Sequence, residues 1–331
     1  MIFCDISVRK IIFMESEEIE KFIKEKISVA SMVFLFHYKK YGLPSRTFMM
    51  KEHDAILQKL INCEDHFAAY PEDTRIFLES RFYIELLERV CLLIEDFCSI
   101  SEGLYEDIRN LPQALVNHKS PNNYLKKLND SIWLKILKYS SIDMLPLSKE
   151  EKSFLNEIRN KNIVVLNKFI LLIKKFLELY WISYTKYKHS NSLIYGFYHN
   201  NIGGEKFLVI PVAFNHRNIS ETKAIIINPK IYAIWQQIFN TLYLITEDII
   251  QRNIDYAETG GFPIPEKIIY FQTSDEERKI LTKIIKKCNS NLKRTSIVTN
   301  VKVEIPLEVM QKHLDIIKLT NLGSFKDDGG N

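Results

Sequence analysis

Two long stretches of helical periodicity constrain this chain more than anything else in it. Ile76, Ser80, Tyr83, Leu87, Val90, Ile94 and Phe97 recur at alternating steps of four and three, and Phe77, Ile84, Cys91 and Cys98 form a second row beside them. From Phe154 the positions Ile158, Val165, Phe169, Leu172, Phe176 and Leu179 repeat the pattern, flanked by Leu166, Ile170, Ile173 and Leu177. Ser148 and Glu151 make a capping box ahead of this second run, which predicts a helix continuing to Tyr187, about forty residues or ~60 Å. Helices this long with wide apolar faces must cover one another, so a helical bundle is expected.

Around these rods the signals are shorter. Acids in the first turn (Glu17, Glu18, Glu20) and the sequence "HYKKYG" before Pro44 predict one or two helices over Ser16–Tyr41, and a shorter helix is expected over Lys51–Cys63. "NLPQALVNHKSPNN", bounded by Pro112 and Pro121, reads as a connector, and Asn122–Tyr139 as one more helix. After Asn191 the texture changes. "SLIYGFYHNNIGGEKFLVIPVAF" reads as two strands around an Asn/Gly turn, and "KAIIIN" supplies a third, giving a small antiparallel meander. Asn228 and Pro229 then cap a helix through Ile249; "KIIYF", a helix from Ser274 and "SIVTNVKVEI" suggest strand–helix–strand, with a last helix from Pro306. The fold class expected is mainly α, α+β overall: a long-helix bundle, a small antiparallel β-meander and an α/β C-terminal region. At 331 residues the chain exceeds what one core usually serves, and the texture divides it into an N-terminal helical region (1–70), a helical bundle (71–190) and a small α+β region (191–331).

The charge is uneven. Residues 1–118 carry 14 basic and 20 acidic side chains, residues 119–200 carry 14 and 6, and residues 201–331 carry 17 and 15. A local excess of eight positive charges favours an anionic partner, RNA or an acidic protein surface. The same charges could instead face the acidic N-terminal region of this chain or of a second copy.

Five cysteines, an odd number with no CxxC pair, argue against a disulfide framework and against a zinc ribbon. Cys91 and Cys98 lie two helical turns apart, about 10 Å, too far to bridge, so buried thiols in a reducing, cytoplasmic setting are expected. The N-terminus lacks the apolar core of a signal peptide, and Met14, opening "MESEEIEKF", competes with Met1 as the native start. Val29–Phe36 is too short for a membrane span, and Ile163–Tyr184 is interrupted by Lys168, Lys174, Lys175 and Glu178, so no membrane association is expected. "CEDH" at Cys63–His66 puts four ligand types in a row, but neighbours on a helix diverge, so no metal and no cofactor is expected. Asp248 and Arg252 are spaced for an i,i+4 ion pair.

Near the start of the second rod stands "RNKNIVV", Arg159–Val165. An Arg–polar pair opening a long bundle helix, with another long helix before it, resembles the HEPN families, helical bundles found in many RNA-cutting toxins and defence proteins. In those families the Arg precedes a His by four to six positions, and two subunits bring their copies together on RNA. The resemblance covers at most residues 71–190. It implies that Arg159 stabilises phosphate charge, that Asn160 orients a hydrogen bond, and that the protein is a homodimer. Here Val164, Val165 and Leu166 occupy the His positions. Without an imidazole to move a proton, strand cleavage loses roughly 10²–10⁴ in rate, so a member that binds rather than cuts is implied. Other Arg-Asn pairs occur at Arg109, Arg217 and Arg252, and His118 follows Arg109 at nine positions, too far for the motif. A second candidate surface is "YTKYKHSNS", where Lys186, Lys188 and His189 interleave with Tyr184 and Tyr187. Basic groups beside aromatic faces hold phosphate and stack bases, although lysines at a helix C-terminus also suit the macrodipole. A protein–protein module docking on an acidic surface remains an alternative, as does an enzyme at the junction of helix and meander for which no nucleophile stands out.

Overall fold

The computed structural model describes residues 27–300 apart from 107, 119, 140, 141, 143, 144, 146, 189–191, 195–196, 203, 217–218, 259–267, 270–272 and 290–298. The fold is mainly α with a small antiparallel sheet. Helices α1 (Val29–His37) and α2 (Leu43–Ile61) are joined by a π turn, Tyr38–Gly42, with no break between them. Gly42 and Pro44, expected to end the helix, are instead built into it. The Leu43 amide reaches back five residues to the Tyr38 carbonyl, and this wider turn accommodates a proline that cannot donate. Glycine is required at 42: a Cβ there would lie 2.6 Å from the Tyr38 ring. The Tyr38 hydroxyl in turn donates to Asp96 Oδ2 at 2.6 Å.

Helix α3 (Glu72–Glu106) is the first rod. Its buried face carries Tyr83, Leu87, Val90, Ile94 and Phe97, together with Ile84, Cys91 and Cys98 from the second row, while Phe77 is exposed. Cys91 and Cys98 are free, buried thiols. The expected connector contains a short helix, α4 (Leu111–Asn117). The next segment is two helices rather than one, α5 (Pro121–Lys127) and α6 (Asp130–Ile136). Asn129 divides them, its Oδ1 capping the Ile132 amide at 3.2 Å.

Helix α7 (Lys149–Lys188) is the second rod. Its capping box is present: Ser148 N–H donates to Glu151 Oε2 at 2.9 Å, and Glu151 N–H to Ser148 Oγ at 3.2 Å. The sheet follows: β1 (Ser192–Ile194), β2 (Tyr198–Ile202), β3 (Glu205–His216) and β4 (Ile219–Ile227). Strand β3 pairs antiparallel with all three others; β2 turns back on it through Gly204, at φ +82°, so that Ile202 faces Glu205. On β3 the pairing with β1 runs from Val212 to Phe214 and that with β2 from Glu205 to Val209. Phe207–Ile210 are buried in succession, so this part of the sheet is covered on both faces.

Asn228 caps α8 (Pro229–Glu258), accepting from the Ile231 amide at 2.9 Å. Strands β5 (Ile268–Ile269) and β6 (Thr299–Asn300) pair in parallel across α9 (Asp275–Asn289), the predicted strand–helix–strand. Ser274 and Glu277 form a second capping box at the start of α9. The expected helix from Pro306, Met14 and Cys4 lie outside the described residues. Among the described residues no helix is long and apolar enough to cross a membrane.

The described chain divides into two compact units. The first takes 27–44, 95–170 and 241–300; its core includes Phe97, Trp133 and Phe169, and Leu281, Ile284 and Ile285 of α9 pack on Leu155 and Ile158 of α7. The second takes 45–94 and 171–240; there Phe176, Tyr180, Tyr232 and Trp235 form an aromatic cluster with edge contacts of 5.1–6.5 Å.

Candidate functional site

Arg159, expected at a phosphate, is turned inward. Its side chain belongs to a residue only 2% exposed, Nη1 donates to the Tyr139 carbonyl, and the guanidinium lies 4.8 Å from the Tyr139 ring centre. Three residues along α7, Asn162 is fully buried and donates to the Tyr139 hydroxyl at 3.2 Å. From α8, Arg252 lies 5.1 Å from the same ring and its Nε donates to Asp248 Oδ2 at 2.8 Å. Asn253 donates to the Ile136 and Ile249 carbonyls, both at 2.8 Å. The expected i,i+4 pair of Asp248 and Arg252 is therefore present, and it is buried inside the first unit. Two of the Arg-Asn pairs, 159–160 and 252–253, place their arginines on one tyrosine.

Asn160 is exposed, so the adjacent Arg159 and Asn160 do not converge; successive helix positions diverge by about 100°. A solvent phosphate would meet Asn160 without meeting its neighbour.

Tyr184 is buried at 2% exposure, which closes its ring to base stacking. Lys188 is exposed and holds its ammonium 5.5 Å from the Tyr184 ring centre, one turn away. With Ile84, Leu87, Glu88, Ser183, Val212 and Ile225, Tyr184 lines a small, mainly apolar cleft of the second unit. The side chains of Lys186 and Tyr187, and all of His189, lie outside the described residues.

The lysines of the basic segment fall into two groups. Lys161 meets Glu157 at 2.7 Å and Glu277 at 3.0 Å, and Lys127 stands 3.9 Å from Glu102. By contrast Lys126, Lys135 and Lys168, all exposed and all in the first unit, have no carboxylate of the described residues within 4 Å. Lys135 lies 4.3 Å over the Tyr105 ring. "CEDH" forms a tight turn after α2, with Cys63 and Asp65 at φ +55° and +52° and Lys59 bonded to Asp65 at 3.0 Å.

One cluster escaped the sequence reading. In the second unit His199 of β2 stands 3.5 Å from Glu79 of α3; one turn on, Tyr83 packs edge-on against Tyr232 of α8, whose hydroxyl donates to Asp54 of α2 at 2.7 Å. Burial raises the Glu79 carboxyl above its ordinary range against the pull of Lys206, and burial together with Lys206 lowers the His199 imidazole. Burial also raises the Tyr83 and Tyr232 phenols, with Asp54 adding to both. Glu79 stands beside Ile76, Ser80 and Tyr83 at the margin of the apolar stripe, the one local signal of its burial.

Because the folded-state pKa of Glu79 lies above its unfolded value, the folded form disfavours the carboxylate, and its contribution to stability falls as pH rises through that window. Glu79→Gln removes the charge. It is expected to be more stable than the parent above neutral pH and to lose that advantage near pH 3, below the ordinary glutamate value, where the parent side chain is protonated in both states. Urea midpoints at both pH values check this; an equal difference at the two would contradict it.

Compared with known proteins, the chain matches no family model, no curated protein and no solved structure.

Proposed function

We propose that the protein is a non-catalytic, HEPN-like RNA-binding protein in which exposed lysines of α5, α6 and α7, rather than Arg159, contact the phosphate backbone. The observation that carries this reading is the set Lys126, Lys135 and Lys168: three exposed ammonium groups of the basic segment with no described carboxylate in reach. Exposed charges without internal partners are the ones available to release counterions from a polyanion. Lys135 over Tyr105 adds an aromatic face beside a cation. The absence of an imidazole one turn after Arg159, and the inward turn of Arg159 itself, support binding without strand scission. Pairing of two copies through the long helices belongs to the same reading, and sedimentation of the purified protein tests it.

Fluorescence anisotropy with a labelled single-stranded RNA, repeated over a salt series, tests the contact. The triple variant Lys126→Ala, Lys135→Ala, Lys168→Ala is expected to bind more weakly, with the log–log salt slope shallower by about 2, roughly 0.7 for each phosphate that is no longer neutralised. An unchanged slope would remove these lysines from the interface. Failure of the parent to bind RNA at low salt, with binding to polyglutamate, would move the reading to an acidic protein partner.

A further inference from the structure

The small cleft of the second unit is built from α3, α7 and the β3–β4 pair. Ile84, Leu87, Ser183, Tyr184, Val212 and Ile225 line it, and none of these six is more than 4% exposed. The remaining wall is Glu88, which is half-buried. Two residues break the apolar pattern here. Glu88 stands four positions after Ile84 and three before Cys91, in the second apolar row of α3, where a hydrophobic side chain would continue the stripe. Ser183 stands three after Tyr180 and seven after Phe176 on the buried face of α7, where a larger side chain would fill the space. The serine leaves the cleft open and the glutamate sets a charge on its wall. Among the described residues Glu88 has no cation within 4 Å, and neither its carboxylate nor the Ser183 hydroxyl has a hydrogen-bond partner. Polar groups withdrawn from water and left unpaired cost free energy, which a ligand that pairs them recovers.

We propose that this cleft binds a small primary alkylammonium ion. A carboxylate beside an apolar wall is complementary to a cation carried on a short hydrocarbon chain: the ammonium donates to Glu88, the Ser183 oxygen is free to accept a second of its protons, and the chain covers Ile84, Leu87, Val212 and Ile225. An anionic ligand would meet Glu88 as a like charge, and an alcohol would leave its charge without a partner. Size narrows the choice further. The cleft is about 280 Å³ counted out to its open mouth, below the range of drug-sized sites, so the ligand is limited to a few heavy atoms. Each methylene buried against the apolar wall tightens binding roughly fourfold, which favours the longest chain that the cleft admits. This inference stands apart from RNA binding and survives or fails without it.

Titration of the full chain with n-butylammonium chloride at neutral pH and constant ionic strength, followed by proton–carbon NMR of labelled Ile, Leu and Val methyl groups, tests both the ligand and its place. The methyls of Ile84, Leu87, Val212 and Ile225 are expected to shift together and to saturate with a Kd of about 1–10 mM, the strength that five heavy atoms can supply. Butanol and butyrate, with the same chain and a different head, are expected to bind at least about tenfold more weakly. Glu88→Gln keeps the size of the side chain and removes its charge. It should weaken butylammonium about tenfold and abolish the preference over butanol. Ser183→Val narrows the cleft and should weaken the amine and the alcohol alike; Glu88→Gln carries the test if that variant does not fold. Absence of saturating shifts at these four residues at about 50 mM amine, well above the expected Kd, would overturn the proposal. So would equal binding of butanol, an unchanged affinity in Glu88→Gln, or shifts confined to other methyls, which would put the amine elsewhere.

Discussion

Asp248→Ala is expected to cost about 3–5 kcal/mol of folding stability, the range for breaking one side of a buried ion pair. Asp248 and Arg252 have side chains only 2% and 4% exposed, with Nε to Oδ2 at 2.8 Å. Deleting the carboxylate leaves a guanidinium deep in the first unit without the counter-charge that faces it, and water cannot readily take its place. The pair is not for that reason a source of net stability, because desolvating two ions offsets most of their attraction. Replacing both, by Asp248→Leu with Arg252→Met, should therefore recover much of the loss. Urea denaturation of the single and double variants decides the matter: a single-variant loss below about 1 kcal/mol would place the pair at an effectively solvated site. Since Arg159 and Arg252 share Tyr139, a loss of RNA binding in Arg159→Ala would be a folding effect and would follow the fraction of folded protein.

The second large effect is at Trp133. Its indole is fully buried, lies 6.2 Å from the Phe97 ring centre, and donates to Asn167 Oδ1 at 2.9 Å; Asn167 then donates to Asp130 Oδ1 at 2.7 Å. Trp133→Ala removes the bulk and the bond together and is expected to lose about 3–5 kcal/mol. Trp133→Phe keeps most of the apolar surface and leaves Asn167 without its donor, for a loss of about 1–2 kcal/mol. Equal losses in the two variants would mean that the hydrogen bond, not the packing, dominates at this site.

The rods and the caps were legible because each depends on residues close in sequence; the antiparallel sheet was expected with three strands and has four, because the first expected strand is two short ones, β1 and β2, both paired with β3. Ser148 with Glu151, Ser274 with Glu277, and Asn228 with Pro229 mark helix starts through bonds spanning three residues, and all three are where the spacing put them. Breaker residues misled for the opposite reason. Gly42 and Pro44 end most helices; here a π turn carries the helix past them, and the Tyr38 ring fills the space a side chain at 42 would take. Between Pro112 and Pro121, proline stands at the first turn of a short helix, where its missing donor costs nothing. The polar core was the least visible. Arg159 and Asn162 are charged or polar by type, and their burial depends on Tyr139 and on α8, some ninety residues further on. The available clue was that Asn162 occupies the slot four residues after Ile158 in the apolar stripe. The Glu79 and His199 pairing, 120 positions apart, had no such clue on the histidine side.

The division between the two units falls inside α2, α3, α7 and α8, at 44/45, 94/95, 170/171 and 240/241. Neither unit is therefore a cassette that recombination could lift out, because any such exchange would sever four helices.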